Sequence, residues 1–220
     1  MIQHVWERAG RSALIARLLV ATDDPRIAAA ARSFGAEVAL TREDHTTGTD
    51  RVAEAAASTD AQVIVNIQGD EPLIDPAAID LAVTTLLDDP TCGMATLKKR
   101  ISAPGEIADP NVVKVVTARD GRALYFSRSA IPFNRGREAA YWKHIGLYVY
   151  RRDLLLSYSS LPHGPLEHDE KLEQLRALEN GIPIRVAETS YETIGVDTPQ
   201  DLQAVLSLFQ DSSYPVANHG

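Results

Sequence analysis

The sequence has 220 residues, 24% of them charged, and a formal net charge of −8. This length allows one α/β domain with a small insertion, and the negative charge disfavours a general nucleic-acid binder, which needs a basic face. No apolar run approaches the ~20 residues that cross a bilayer, the N-terminus lacks the apolar segment of a secretory signal, and the single cysteine, Cys92, cannot form an internal disulfide. We therefore expect a cytoplasmic protein without nucleic-acid or membrane partners.

Helical and strand patterns alternate along the first ninety residues. Apolar spacing and Asp-Pro start signals predict helices over 2–9, 25–35, 49–58 and 75–89, and β-rich runs predict strands over 17–22, 36–40 and 61–68. Strands that alternate with helices form parallel sheets covered on both faces. The pattern therefore predicts an α/β fold with a mostly parallel sheet. We expect the apolar strand 61–68 to be central, and ligands to bind at the carboxyl ends of the strands.

The pattern changes at about residue 93. Strands over 93–101 and 141–151 flank two β-rich runs that meet at Asp120-Gly121, which is a hairpin signal. Further along, the sequence predicts helices over 151–161, 166–180 and from Thr198, with a strand over 182–189. We interpret residues 1–210 as one domain with a mixed-sheet insertion at roughly 93–165, and residues 211–220 as a disordered tail.

The stretch HTTGTDR, residues 45–51, is the first candidate binding segment. Small polar residues around Gly48 precede a helix, so backbone N–H groups at the helix start can contact an anionic ligand. In the alternative interpretation, Thr47 or Thr49 only caps the helix. The stretch is not a phosphate-binding P-loop, and the chain has no GxGxxG fingerprint, which disfavours a nicotinamide dehydrogenase.

Two further candidates place acids at the ends of strands. In QGDEP, Gly69 allows a tight turn, Pro72 stops the strand, and Asp70 offers oxygen ligands that suit Mg²⁺. Alternatively, Asp70 is an acid in a solvated turn. In GVDTPQDL, Thr198 and Asp201 fit a capping box, which leaves Asp197 free to face the same cleft as Asp70. Two such acids would form a magnesium site beside substrate phosphates.

The insertion contains a candidate anion pocket. Arginine side chains bind carboxylates through two parallel hydrogen bonds, and alternation along the strand 141–151 places His144, Gly146 and Tyr148 on one face. The candidate residues are Arg128, Arg135, Arg137, Lys143, His144 and Tyr148. In the alternative interpretation the arginines form a solvated rim and His144 is a structural histidine.

Seven stretches, in order, resemble the 3-deoxy-manno-octulosonate cytidylyltransferase family, also called CMP-KDO synthetases, in which KDO is the acidic sugar 3-deoxy-manno-octulosonate. They are HTTGTDR, VNIQGDEP, NVVKVV, ALYFSRSAIP, KHIGLYVYR, PLEHDEKLEQLRALENG and GVDTPQDL. The resemblance covers residues 1 to about 208. It implies a nucleotidyltransferase-type, Rossmann-like fold, a homodimer built through the insertion, and the Mg²⁺-dependent reaction of CTP with KDO that gives CMP-KDO and pyrophosphate for lipopolysaccharide biosynthesis.

The resemblance also implies roles for individual residues. Asp70 and Asp197 match the family's metal ligands and are therefore the candidate catalytic pair. The residues that match the nucleotide site are Thr47, Gly48, Thr49, Arg51 and Gln68. The residues that match the sugar-acid contacts are Arg128, Arg135, His144, Tyr148, Glu173 and Gln174. Without the resemblance, Glu173 and Gln174 would be assigned to a solvated face of the predicted helix 166–180.

The N-terminus departs from the family pattern. The family opens with a strand and a loop like PARYxSTRLPGKPL, whose Arg and Lys bind the triphosphate, whereas MIQHVWERA resembles the helix after that loop. From the sequence we expect this chain to lack a central strand and the main basic phosphate contact, and so to expose an open pairing edge and to have reduced activity. Either a start site placed too late or a true truncation would explain the departure.

Two alternative functions remain open from the sequence. The chain could be a cytidylyltransferase for another acidic sugar, such as an amino-KDO or a sialic acid. It could also be a non-catalytic nucleotide- or sugar-binding remnant, an alternative that the missing phosphate loop favours. Turnover assays with competing sugar acids would test the first alternative, and the genomic sequence upstream of the Met1 codon would test the second.

Overall fold

The computed structural model describes residues 1–136, 139–192, 194–196 and 198–210, with Gln210 described by its backbone alone. Three sequence predictions concern residues outside these ranges: Arg137 in the anion pocket, Asp197 in the acid pair, and the tail 211–220. In the ranges given, every helix is too short or too polar to cross a membrane.

The helices and strands follow the predicted order closely. The helices are α1 (Ile2–Ala9), α2 (Pro25–Ser33), α3 (Gly48–Ala57), α4 (Pro76–Leu87), α5 (Pro104–Ala108), α6 (Arg152–Ser157), α7 (Pro165–Glu170), α8 (Gln174–Glu179) and α9 (Pro199–Gln210), with a 3₁₀ turn at Tyr158–Ser160. The strands are β1 (Leu19–Thr22), β2 (Glu37–Leu40), β3 (Val63–Asn66), β4 (Met94–Arg100), β5 (Lys114–Thr117), β6 (Ala123–Ser127), β7 (Trp142–Arg151) and β8 (Ile184–Glu188). The short helix α5 has no counterpart among the sequence predictions.

Most of the described strands form one mixed sheet with β7 at its centre. The strand order is β6-β5-β7-β4-β8, and β3 also pairs with β7. β4 runs parallel to β8 but antiparallel to β7, and β3 is antiparallel to β7 as well. β1 and β2 form a separate parallel pair. The predicted α/β class is confirmed, and the long β7, which belongs to the predicted insertion, organises the sheet.

Strand β3 differs from the sequence prediction of a buried strand in a parallel sheet. In the part of the chain that the structure describes, its one partner is the antiparallel β7, and β1 pairs with β2 alone. Val63, Ile64 and Val65 are consequently only partly buried, although their apolar character is typical of a central strand. One edge of β3 is therefore open in the described residues.

Helix α4 packs against one face of the mixed sheet. Asp75 caps its N-terminus by accepting a hydrogen bond from the Ala77 N–H, and Pro76 occupies the first helical position, as the sequence predicts. Its buried residues Ile79, Val83 and Leu86 belong to the core cluster that also contains strand residues of β4 and β7. Burying each such side chain contributes about 1.5–3 kcal/mol. This packing joins α4 to β3, β4 and β7.

The predicted helix 166–180 is wrong as a single helix. The chain forms α7 and α8, with Lys171 between them in the left-handed region at φ 53°. Glu170 turns toward β6, where its carboxylate accepts hydrogen bonds from the Arg128 N–H at 2.8 Å and from the Ser127 hydroxyl at 2.5 Å. These tertiary contacts override a helical pattern that has no Gly or Pro to mark the break.

Candidate functional site

The loop that begins helix α3 is both a helix cap and part of a wider polar cluster. Thr47 caps the helix by accepting a hydrogen bond from the Asp50 N–H at 3.1 Å. The hydroxyls of Thr47 and Thr49 also donate to Glu173, at 3.4 and 3.0 Å. A side chain at Gly48 would lie 3.9 Å from the Gln68 amide oxygen. The loop therefore contacts the Glu173 segment and lies beside Gln68, which capping alone would not require.

Arg51, implied for the nucleotide site, is held by polar contacts on the far side of the loop. Its guanidinium donates to the Asp23 carboxylate at 3.0 Å and to the Thr41 hydroxyl at 2.6 Å. Asp23 directly follows β1 and Thr41 follows β2. Arg51 thus ties the start of α3 to the carboxyl ends of both strands of the small sheet, at the edge where the sequence predicts the ligand.

Asp70 lies where the sequence places it, in a turn after β3. The Val196 N–H donates to the Asp70 carbonyl oxygen at 2.9 Å, so the GVDTPQDL stretch runs beside the QGDEP turn. The predicted capping box is confirmed, because Thr198 and Asp201 exchange hydrogen bonds of 2.8 and 3.2 Å. Asp197 itself lies outside the described residues. The neighbouring backbone supports the prediction that these two stretches meet.

Glu71 has a partner that the sequence did not reveal. The Tyr191 hydroxyl donates to its carboxylate at 3.1 Å, and burial raises the pKa of Glu71, with the neighbouring Asp70 charge acting in the same direction. This hydrogen bond fastens the turn after β3 to the segment after β8. Together with the Val196–Asp70 backbone bond, it positions the Asp70 side chain.

The chemistry at Asp70 fits a hard cation. Its carboxylate makes neither a hydrogen bond nor an ion pair with any described residue. Over the described ranges, there is no group of three or more His, Cys, Asp or Glu side chains that could hold a metal. Magnesium is usually bound by only one or two carboxylates together with waters and substrate phosphates. A free carboxylate at this strand end therefore fits magnesium bound together with a triphosphate.

Glu173 and Gln174 are buried rather than on a solvated helix face. Gln174 is 4% exposed, and burial raises the pKa of Glu173. The Glu173 backbone carbonyl accepts a hydrogen bond from the Tyr158 hydroxyl at 2.9 Å, while its carboxylate contacts Thr47 and Thr49. The structure therefore brings a residue implied for the sugar acid into direct contact with residues implied for the nucleotide.

His144 and Tyr148 share one face of β7, as the alternation predicts. Their rings lie 5.3 Å apart, and the Phe126 ring packs edge-on against His144 at 5.0 Å. Burial lowers the pKa of His144 to about 3 and raises the pKa of Tyr148 well above its ordinary value. Both side chains are therefore neutral at pH 7, so His144 supplies no positive charge to the predicted anion pocket.

The basic side chains of the anion pocket differ in their availability. Arg128 donates to the backbone carbonyls of Glu170, Pro110 and Lys171, at 2.8 to 3.4 Å. Lys143 is paired with the carboxylates of Glu106 and Glu192. Arg135 is exposed and makes no ion pair with any described residue. Among these described cations, Arg135 is the one whose charge is free for a carboxylate ligand.

Sequence reasoning missed several residues that shape the site. They are Asp23, Thr41, Thr96, Glu170 and Tyr191. Each acts through a tertiary hydrogen bond to a residue that lies far away in sequence or on another element. Local patterns carry no signal for such contacts, although the position of Asp23 directly after a predicted strand is a partial clue.

Comparisons with known proteins show the family of this chain. A family model described as cytidylyltransferase matches residues 1–190. The 3-deoxy-manno-octulosonate cytidylyltransferase of Solibacter usitatus is 63% identical over 214 residues, which cover 96% of this chain and 85% of that protein. The enzyme of the same name from Geobacter sulfurreducens is 55% identical over 219 residues, covering 94% and 87%.

A solved structure gives the same result. It is a CMP:2-keto-3-deoxy-manno-octonic acid synthetase complexed with CTP, with a TM-score of 0.91, 47% identity, and coverage of 95% of this chain and 87% of that one. A 4-diphosphocytidyl-2C-methyl-D-erythritol synthase from Anaerococcus prevotii has a TM-score of 0.64 at 11% identity, which shows a shared fold alone. This chain belongs to the cytidylyltransferases. Within them, it is a member of the 3-deoxy-manno-octulosonate cytidylyltransferase family.

Proposed function

We propose that this chain transfers CMP from CTP to the anomeric hydroxyl of KDO, giving CMP-KDO and pyrophosphate for lipopolysaccharide biosynthesis. The observation that supports this most directly is the hydrogen bond between Thr49 and Glu173 at 3.0 Å. It joins the loop implied for the nucleotide to the segment implied for the sugar acid. Direct transfer between two bound substrates requires their sites to be adjacent.

The reaction is an in-line attack of the sugar hydroxyl on the α-phosphorus of CTP, with pyrophosphate as the leaving group. The Thr47–Arg51 loop and Gln68 hold the nucleotide, and the start of α3 directs its backbone N–H groups toward the phosphates. Asp70, with Asp197, is the proposed magnesium-binding pair. Magnesium bound there would stabilise developing phosphate charge and lower the pKa of the attacking hydroxyl.

Residues of β7 and of the segment between α7 and α8 hold the sugar acid. His144, Tyr148, Glu173 and Gln174 offer donors and acceptors for sugar hydroxyls, and Arg135 offers a free charge for the carboxylate. In such an arrangement positioning supplies much of the rate. With magnesium held by Asp70 and Asp197, the pKa of the hydroxyl would be lowered, so none of the described side chains would be needed as a dedicated general base.

The direct test is pyrophosphate release by the purified chain with CTP, KDO and magnesium chloride. We expect release that requires all three and yields CMP-KDO by mass spectrometry. UTP in place of CTP is the matched nucleotide control and should give much lower turnover. Higher turnover with an amino-KDO or a sialic acid than with KDO would show that the substrate is another acidic sugar. Binding of CTP without turnover on any sugar acid would indicate a non-catalytic remnant.

A homodimer and a cytoplasmic location complete the proposal. The family resemblance implies a dimer built through the insertion, which contains the exposed side chain of Phe133, 86% exposed in this single chain. Light scattering coupled to size-exclusion chromatography tests the dimer, and a mass equal to one chain at micromolar concentration would contradict it. Fractionation of the native cells tests the location.

A further inference from the structure

Thr96 is a fully buried threonine in the middle of β4, beside an irregularity in the sheet. The pairing of β4 with β7 passes from Ala95↔Val149 to Leu97↔Ile145, so β7 contains two additional residues opposite Thr96. A β-bulge of this kind interrupts the ladder and leaves backbone groups without their regular partners. The Thr96 hydroxyl lies 2.9 Å from the carbonyl oxygens of Ile145 and Leu147.

The same hydroxyl lies 2.9 Å from Nε2 of His144, and this fixes where the protons are. A threonine hydroxyl donates one hydrogen bond and can accept two, whereas a carbonyl oxygen only accepts. The single hydroxyl proton is therefore donated toward the two carbonyl oxygens. The His144 contact is favourable only if Nε2 carries a proton and donates it to the Thr96 oxygen, because the reverse arrangement would leave the Thr96 oxygen facing two carbonyl oxygens at 2.9 Å with no proton directed at either.

The second ring nitrogen of His144 is then an acceptor. A neutral imidazole has one N–H and one lone pair, and the group bonded to one nitrogen sets the state of the other. Burial lowers the pKa of His144 to about 3, so the ring is neutral at pH 7. Nδ1 makes no hydrogen bond to any described residue, and His144 is only partly buried. Its lone pair is free to accept a hydrogen bond from a ligand.

We propose that Thr96 is a positioning residue that holds His144 in the Nε2–H form, so that His144 binds a hydroxyl group of the sugar acid and not its carboxylate. This inference rests on the proposed function, because it assigns one subsite of the same acceptor pocket. A lone-pair acceptor attracts an O–H donor and repels a carboxylate oxygen. Thr96 then contributes to specificity without touching the substrate.

The first test measures the tautomer itself and needs no activity. Two-bond ¹H–¹⁵N correlation spectra of the ¹⁵N-labelled chain at pH 7 distinguish protonated from unprotonated ring nitrogens, and His144→Gln identifies the His144 signals. We expect Nε2 protonated and Nδ1 unprotonated. Protonated Nδ1, or two exchanging forms of similar population, would overturn the assignment of Thr96.

The second test removes the hydroxyl and keeps the shape. Thr96→Val should raise the KM for KDO about tenfold while the KM for CTP changes less than twofold, because one hydrogen-bonded site is lost from the sugar pocket alone. Thr96→Ser retains the hydroxyl and should restore both the tautomer and the KM for KDO. The matched control is Thr85→Val, since the Thr85 hydroxyl donates only to the Leu81 carbonyl within α4. Equal KM values for KDO in Thr96→Val and Thr96→Ser would overturn the proposal.

The third test identifies the group that His144 binds and does not depend on a variant that folds poorly. Competition by KDO analogues that each lack one hydroxyl should reveal one analogue whose inhibition constant rises about tenfold with the unaltered chain. With folded Thr96→Val, the inhibition constants of that analogue and of KDO should be equal, because the variant no longer holds His144 in the form that binds the missing hydroxyl. The proposal would be overturned if every deoxy analogue bound the unaltered chain equally weakly and only a carboxamide analogue bound the unaltered chain and Thr96→Val equally. That result would assign the carboxylate to His144. A chain without turnover would contradict the proposed function, while the tautomer measurement would still test Thr96.

Discussion

The turn after β3 and the turn between α7 and α8 both bring carboxylates to the site, but they hold them differently. After β3, the Asp70 carboxylate makes neither a hydrogen bond nor an ion pair with the described residues, while Glu71 accepts a hydrogen bond from the Tyr191 hydroxyl. Between α7 and α8, Glu170 accepts three hydrogen bonds from β6 and the residue after it, and Glu173 accepts two from the α3 loop. The first turn leaves one carboxylate available for a ligand, whereas the second uses its carboxylates to hold the protein together.

The two turns therefore differ in whether their carboxylates can bind a ligand or instead stabilise the fold. A carboxylate without protein partners keeps its full capacity to bind a cation. A carboxylate with several donors is already satisfied and resists displacement, so it fixes the segment that carries it. We infer that the turn after β3 supplies the chemistry and that the turn between α7 and α8 sets the distance between the two substrate sites. Substitutions in the two turns should therefore fail in different ways.

The largest expected effect is on stability, at the base of the second turn. Arg176 is 2% exposed and donates to both oxygens of Glu167, at 2.9 and 2.6 Å. Arg176→Met should lower the free energy of unfolding by about 3 kcal/mol, because it removes the buried guanidinium and leaves the mostly buried Glu167 carboxylate with the exposed His163 as its remaining charged partner. Urea unfolding followed by circular dichroism measures this. Arg32→Met, at an exposed site on α2, is the control; equal unfolding midpoints for the two variants would contradict the prediction.

The next effect is on turnover, at the first turn. Asp70→Asn should reduce kcat by about 10²–10³, since loss of a metal ligand removes several kcal/mol of charge stabilisation. Asp197→Asn should behave similarly. The unfolding midpoint of Asp70→Asn should match the parent, because the described residues make no bond to this side chain. Asp60→Asn, at an exposed site before β3, is the control. Near-normal turnover in both site variants would refute the metal assignment.

The comparison also shows what the sequence can and cannot predict. The turn after β3 is readable because Gly69 and Pro72 mark it within an apolar run, and the caps at Asp24, Thr47 and Asp75 are local hydrogen bonds with local signals. The order and the approximate bounds of most elements follow from such signals. The same signals placed the Asp70 turn at a strand end, where the structure has it.

The second turn could not be predicted from local signals. Nothing within residues 165–180 indicates a break, because the contacts that bend the chain come from β6 and from the α3 loop. The partners of Arg128 and His144 cannot be predicted for the same reason. Arg128 donates to backbone carbonyls outside the sheet, and His144 contacts a hydroxyl that sheet pairing brings close. The roles of Glu173 and Gln174 came only from the family resemblance.

A third prediction concerns pH and the buried carboxyl of Glu173. Burial raises the pKa of Glu173 in the folded state above the ordinary 4.5. Between the unfolded-state pKa and this higher folded-state pKa, the folded state therefore binds more protons than the unfolded state. Stability from this group is therefore present below about pH 4.5 and is lost as the pH rises through the folded-state pKa. Glu173→Gln should remove that loss, a gain at pH 7 of about 1.4 kcal/mol for each unit of the shift.

Unfolding of the parent and of Glu173→Gln, followed from pH 4 to pH 8, measures this gain. The two curves should meet near pH 4 and diverge as the pH rises. Glu188→Gln, at an exposed position on β8, should run parallel to the parent throughout. A constant offset between parent and Glu173→Gln across the whole range would show that the change acts through packing and not through the charge.

The smallest expected effect isolates the backbone of the second turn. Lys171 is exposed and adopts φ 53°, a conformation that costs a residue with a Cβ atom about 1–2 kcal/mol. Glycine avoids that cost but loses more conformational entropy on folding, so Lys171→Gly should raise the unfolding free energy by only about 0.5 kcal/mol. Lys171→Ala keeps the Cβ atom and should give no gain in a parallel melt. If alanine stabilised the chain as much as glycine, the left-handed turn would not be the source of the effect, and the break between α7 and α8 would have to be attributed to the Glu170 contacts alone.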